Sequence, residues 1–133
     1  MVAGVGTDLV WRDAFAALLD EPGTVFGPCT FTAQELATAR SRPSGDPVSH
    51  LAARYAAKEA CVKALSAALA PGELPRAAVD LREIEVVCDA ATRPSIRLHG
   101  RVAALARAAR VNGIHLSMSH EGGLACAFVI AER

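Results

Sequence analysis

Apolar residues recur along the chain at two different spacings, and those spacings assign its elements. Residues 1–10 read as a strand, because Val5 and Leu9 alternate with smaller or polar residues. Gly4 and Gly6 allow another backbone or a ligand to come close there. Residues 11–20 predict a short amphipathic helix, with Trp11, Phe15, Leu18 and Leu19 at i, i+4, i+7 and i+8 and Pro22-Gly23 ending it. A second helix starts at Thr32, where Thr32 and Glu35 have the spacing of a capping box. Residues 41–48 read as a polar, mobile loop. The longest helix is predicted from about Ser49 to Leu69, with Leu51, Tyr55, Val62, Leu65 and Leu69 in one stripe and Pro71-Gly72 as its stop.

The second half of the chain changes period. Ile84, Val86 and Cys88 alternate with Glu83 and Glu85, which predicts a half-buried strand over 83–88. A turn from Asp89 to Pro94 leads to a short strand, Ser95 to Leu98. Residues 101–110 predict a helix with Val102, Leu105, Ala106 and Ala109 inward and Gly113 at its end. Residues 114–120 alternate again, Glu121-Gly122-Gly123 reads as a hairpin turn, and the nearly unbroken apolar run Leu124 to Ala131 predicts a central strand. The expected architecture is α+β, one long helix with shorter ones against a largely antiparallel sheet, in a single domain over residues 1–133.

Composition narrows the function classes. Fourteen basic residues balance fourteen acidic ones, so the chain lacks the positive excess that broad nucleic-acid or anionic-membrane binding requires. No stretch approaches the roughly 20 apolar residues that span a bilayer, and the N-terminus lacks the basic region of a signal peptide. The expected location is the cytoplasm. Cys29, Cys61, Cys88 and Cys126 are far apart, without zinc spacing, and read as small buried hydrophobes.

The charged residues carry the chemical signal. Glu59 and Lys63 lie at i, i+4 on the long helix, the spacing of an ordinary surface ion pair. The chain uses twelve arginines but only two lysines, Lys58 and Lys63, and both lie within four residues of Glu59. A lysine offers a compact, rotatable charge where arginine's planar fork does not fit. With Arg54, the segment Arg54-Tyr55-Ala56-Ala57-Lys58-Glu59 reads either as a solvated face or as a phosphate site. Asp8 at a strand end is a turn residue or, with Glu59, half of a Mg²⁺ site, since that ion takes one or two protein carboxylates and completes its shell with water and phosphate. His120, beside Ser117 and Ser119, is a strand-end histidine or a phosphate contact. His50, His99 and His115 read as structural. No dinucleotide fingerprint, serine elbow or H-E-x-x-H motif is present.

Three segments carry a resemblance. Gly4-Val5-Gly6-Thr7-Asp8-Leu9-Val10, Arg54-Tyr55-Ala56-Ala57-Lys58-Glu59-Ala60-Cys61-Val62-Lys63-Ala64 and His115-Leu116-Ser117-Met118-Ser119-His120 resemble, in order and spacing, holo-acyl-carrier-protein synthase, the short bacterial class of 4′-phosphopantetheinyl transferase. The resemblance implies that fold, and transfer of the 4′-phosphopantetheine arm of coenzyme A to a serine of an apo acyl carrier protein, with release of adenosine 3′,5′-bisphosphate, in fatty-acid or polyketide synthesis. It implies Mg²⁺ held by Asp8 and Glu59, a phosphate contact from Lys63, and Arg54, Ser119 and His120 near the nucleotide, and Lys58 is expected to join the coenzyme contacts through the phosphate-site reading of its segment. It implies a homotrimer with interfacial active sites, Asp8 coming from one chain and Glu59 from its neighbour. Glu59, or a water it orients, is the expected base. Arg12 is the expected docking cation for an acidic carrier protein, with Trp11 and Phe15 either beside it or in the core. Thr92 stands where the family usually has a glycine two residues before the proline, which implies a different turn. Two competing readings are a non-catalytic carrier-protein-binding module of the same fold, and a small trimeric α+β protein that binds another nucleotide or metabolite.

Overall fold

The structure, a computed structural model, describes residues 1–43 and 45–133. The chain runs β1 (Val2–Trp11), α1 (Arg12–Asp20), α2 (Phe26–Thr30), α3 (Ala33–Ser41) and α4 (Pro47–Ala68). Two 3₁₀ turns follow, Arg76–Ala78 and Leu81–Glu83. Then come β2 (Ile84–Cys88), β3 (Pro94–Leu98), α5 (Gly100–Ala108), β4 (Gly113–Glu121) and β5 (Leu124–Glu132). The α+β class expected from the sequence is the one observed.

The apolar strand β5 is central, with β1 and β4 antiparallel on either side. Gly122 and Gly123 form the β4–β5 turn with φ of 58° and 79°, the left-handed pair that matches the twist of a tight hairpin. The sheet is not continuous, because β2 and β3 form a separate antiparallel pair.

α4 lies across the inner face of the three-stranded sheet. Gly4 and Gly6 face it from β1, and a Cβ at either position would overlap the carbonyl oxygen of Ala64 or Ala60. Glycine is therefore required by the close approach of strand to helix. Ala52, Ala56, Ala57, Ala60 and Ala64 are fully buried on the helix, and Leu51, Val62 and Leu65 fill the space beside them. Burial on several sides makes α4 the central element of the core.

The ends of the elements correct several expectations. α4 begins at Pro47 rather than Ser49, because the Asp46 side chain accepts from the Val48 backbone N–H at 3.1 Å and proline suits the first helical turn. The loop expected over 41–48 is shorter accordingly, and Ser44 lies outside the described residues. The capping box forms in both directions, Glu35 N–H to Thr32 Oγ1 at 3.1 Å and Thr32 N–H to Glu35 Oε1 at 2.8 Å. α5 ends at Ala108, and the residue that stops it is Arg110, not Gly113. Arg110 adopts φ of 61°, while Val111 N–H donates to Ala106 O at 2.9 Å and Arg110 N–H to Arg107 O at 3.0 Å, the paired bonds of a Schellman stop. Gly113 opens β4 instead. Of the cysteines only Cys61 is buried, its thiol pushed up to about 12 by burial. Cys29 and Cys88 are exposed and Cys126 is half-buried, because β2 ends at the surface and Cys126 faces away from α4.

Thr92 keeps the geometry a glycine would provide. Its φ is 61°, and Asp89 holds the turn by accepting from Ala91 N–H at 2.8 Å and Arg93 N–H at 3.0 Å. A β-branched residue in this region is strained by about 1–2 kcal/mol, of which glycine's extra freedom in the unfolded chain would offset part. The variant Thr92→Gly is expected to be more stable by about 1 kcal/mol in chemical denaturation. A loss of stability would mean that the threonine's contacts outweigh its strain.

Candidate functional site

Two cavities open on the two sides of α4, and the residues singled out in the sequence divide between them. The first, of about 260 Å³, is lined by Asp8, Leu9, Val10 and Trp11 from β1, Ala14, Phe15 and Leu18 from α1, and Tyr55 and Glu59 from α4. β1 and α4 bring the two carboxylates to one cavity within a single chain. The resemblance implied carboxylates from neighbouring subunits, whereas Asp8 and Glu59 of one chain already line the same cavity.

Each of these carboxylates has a basic partner. The Lys63 ammonium donates to Asp8 Oδ1 at 3.0 Å and to Thr7 O at 2.8 Å. Glu59 is gripped by Arg76, whose Nε lies 2.9 and 2.8 Å from the two carboxylate oxygens and whose Nη2 lies 2.6 Å from Oε1. The hydrogen bonds to Glu59 raise the Arg76 pKa. Tyr55 lies against the same pair, and burial, then the Glu59 charge, raise its phenol pKa. Glu59 and Lys63, at pairing distance along the helix, have thus each taken a different partner. Arg76 had no signal in the sequence: it sits in a Pro- and Leu-bearing connection, and only the return of the chain over α4 brings it to Glu59.

Lys58 is not at a phosphate site. Its side chain is fully buried, and its ammonium donates to Glu35 Oε1 at 2.7 Å, Leu81 O at 2.9 Å and Ile84 O at 2.7 Å. Three donors meet three acceptors, which fits lysine and not arginine's five-donor fork. The Phe31 ring lies 5.4 Å away. Burial lowers the Lys58 pKa and the Glu35 charge opposes the shift. The lysine bias noticed in the sequence therefore has two causes, one in the core and one, Lys63, at the acidic cavity.

The second cavity, of about 330 Å³, is lined by Arg42, Gly45, Asp46, Ser49, His50, Ala53, Arg54 and His120. Arg54 donates to His50 O at 3.4 Å and lies 3.5 Å from Cys88 Sγ. His50 is buried, and burial followed by the charges of Arg54 and Arg42 lowers its pKa to about 4. It is neutral near pH 7, and its Nδ1 accepts from Arg42 Nη1 at 2.8 Å. The walls thus present two guanidinium groups, two imidazoles and one carboxylate, Asp46, which is itself paired with Arg12, a lining that leaves Arg42 and Arg54 to attract an anionic ligand. Arg54 and His120 both line this cavity. Ser119 does not, because alternation along β4 turns it to the opposite face of the sheet.

Arg12 sits at the start of α1 and is ion-paired with Asp46, and with Asp13 at 3.3 Å. The Arg12 guanidinium, with Ser49 and Val48, holds the Asp46 carboxyl well below the usual range, at about 2. Asp46 thus joins β1–α1 to the start of α4. Of the two aromatic residues nearby, Phe15 is core, packed against Phe26, Phe31 and Tyr55, whereas Trp11 is 63% exposed. Trp11 shares the open face of the sheet with Val5, Leu9 and Phe128, all exposed.

Comparisons with known proteins agree over nearly the whole chain. A family model for the 4′-phosphopantetheinyl transferase superfamily matches residues 4–129. A holo-[acyl-carrier-protein] synthase of Mycobacterium tuberculosis is 45% identical over 132 residues, covering 98% of this chain and 97% of the relative. One from another Mycobacterium species is 43% identical over 131 residues, with the same coverage. A solved coenzyme A complex of the synthase from Chronobacterium ammoniagenes superposes with a TM-score of 0.85 at 38% identity, covering 96% of this chain and 95% of that one.

Proposed function

The chain belongs to the 4′-phosphopantetheinyl transferase superfamily, and from that premise we propose that it transfers the 4′-phosphopantetheine arm of coenzyme A to a serine of an apo acyl carrier protein, releasing adenosine 3′,5′-bisphosphate. The observation that carries this reading is the convergence of Asp8 and Glu59 on one cavity, each beside a basic side chain. Residues 1–133 act as one transferase domain. By the same reading the protein works in the cytoplasm. No described helix is long and apolar enough to cross a membrane.

The donor set suits Mg²⁺. Asp8 and Glu59 offer hard carboxylate oxygens, and two such ligands leave room for water and substrate phosphate, as this ion prefers. When bound there, Mg²⁺ supplies charge neutralisation at the diphosphate being cleaved. Lys63, 54% exposed, is free to turn to a phosphate oxygen and stabilise the same charge. With its oxygens committed to the cation, Glu59 would take the serine proton through a water it orients rather than by direct contact. Arg54 and His120 receive the nucleotide portion at the cationic cavity. Positioning and electrostatics of this kind account for most of the catalysis in phosphoryl-type transfer.

The active unit is a homotrimer with interfacial sites. In support, Val5, Leu9, Trp11 and Phe128 leave an apolar sheet face uncovered, the kind of patch that marks a protein interface. Ser119 on that face would then meet the nucleotide site of a neighbouring chain. Arg12 and the exposed Trp11 contribute to docking of the acidic carrier protein, with Arg12 exchanging its Asp46 partner for a carrier carboxylate.

The test is a mass measurement. Purified protein, coenzyme A, Mg²⁺ and an apo carrier protein are expected to yield a carrier heavier by the phosphopantetheine arm, and omission of Mg²⁺ is expected to abolish the gain. A carrier that keeps its mass under all conditions, while binding the protein, would establish the non-catalytic module instead.

A further inference from the structure

The next step rests on the reading of Asp8 and Glu59 as the pair that holds a divalent cation. In the chain as folded, neither carboxylate is unpaired. Asp8 is bonded to Lys63 and Glu59 to Arg76, so two negative charges face two positive ones. A divalent cation arriving alone meets a site already neutralised, and must compete with both basic groups for the same oxygens. A diphosphate arriving with it changes the balance, because it offers Lys63 and Arg76 oxygens of their own. Arg76 is chemically suited to the exchange, since a planar guanidinium matches phosphate as well as it matches carboxylate. Both groups are also placed for it. The Lys63 and Arg76 side chains are 54% and 46% exposed, while Asp8 and Glu59 are 19% and 15% exposed. The cations can therefore swing away while the carboxylates stay in place. The contrast with Lys58 is sharp, since that ammonium is buried on three fixed acceptors.

We propose that Lys63 and Arg76 are exchangeable counter-ions that disfavour binding of a lone divalent cation and move to the diphosphate when coenzyme A arrives. Metal and coenzyme A then bind synergistically, and Arg76 is a positioning residue of the reaction.

Equilibrium binding of Mn²⁺ to the intact protein, followed by the paramagnetic resonance of the free ion against a protein-free control, tests this. Affinity for Mn²⁺ is expected to be about ten-fold or more higher with saturating coenzyme A than without it. Arg76→Gln is expected to bind lone Mn²⁺ about five-fold more tightly than the parent and to show correspondingly less synergy. Lys63→Gln, acting through Asp8, is the second variant and is expected to change lone-ion binding in the same direction. Arg76→Lys, which keeps the charge, is expected to stay close to the parent. Equal Mn²⁺ affinity with and without coenzyme A, or Arg76→Gln and Lys63→Gln variants that bind the lone ion no more tightly than the parent, overturns the inference. Absence of Mn²⁺ binding even with coenzyme A would instead remove the two-carboxylate reading on which it rests.

Discussion

Glu59→Gln is expected to lower kcat/KM for carrier modification by about 10²–10³-fold, the usual cost of removing one preorganised electrostatic contact at a transferring centre. Glutamine preserves the size and shape of the side chain and removes its charge. The fold tolerates the change, because the Arg76–Glu59 pair lies at the surface, where such pairs contribute on the order of 1 kcal/mol or less. Activity and stability should thus separate: melting moves little while turnover collapses. The loss is expected to be only partly recovered by raising Mg²⁺, since the variant also lacks the charge that orients the attacking hydroxyl's proton acceptor. A variant that keeps full turnover at saturating Mg²⁺ would contradict both roles given to Glu59. A variant whose activity falls only in step with its folded fraction would leave Glu59 a purely structural anchor for Arg76 and Tyr55.

Lys58→Met is expected to have the opposite profile, a large loss of stability with little change in coenzyme affinity. Removal of the ammonium strands the Glu35 carboxylate and the carbonyls of Leu81 and Ile84 in the interior. Glu35 cannot turn away, because its other oxygen accepts from Val86 N–H at 2.9 Å and Oε1 also closes the α3 capping box. Breaking a buried pair in this way costs about 3–5 kcal/mol, equivalent to a fall in Tm of roughly 10 °C or more for a chain of this size. Lys58→Arg is expected to be no rescue, since a planar fork neither fits the three acceptors nor leaves its remaining donors bonded. The folded fraction of Lys58→Met, assayed at low temperature, is expected to retain the parent's KM for coenzyme A. A raised KM with unchanged stability would return Lys58 to the phosphate site.

These two variants mark where the sequence was legible and where it was not. The strand and helix periods, the Thr32 capping box and the Gly-Gly hairpin depend on local chemistry, and they appear as expected. The glycine–alanine contact between β1 and α4 was visible as a permissive spacing at Gly4 and Gly6. What failed to show depends on which face an element finally buries. Lys58 and Lys63 are both near Glu59 in sequence, but about a turn and a half of helix between them sends one to the core and one to the surface. Cys61 and Cys88 sit in equally apolar surroundings along the chain, yet only the first lies under other elements. Arg76, Arg42 and Asp46 reach their sites through tertiary contacts made by connections, where no period exists to be read. Thr92 breaks the usual preference for glycine and keeps the turn regardless, because Asp89 supplies enough bonds to hold it.

Crystals grown with coenzyme A and Mn²⁺, with the metal located by its anomalous scattering, test the account most directly. The expected result is one ion per chain, held by Asp8 and Glu59 of that same chain and by oxygens of the coenzyme's diphosphate. An ion bound elsewhere, or one whose two carboxylates come from different chains, would contradict it.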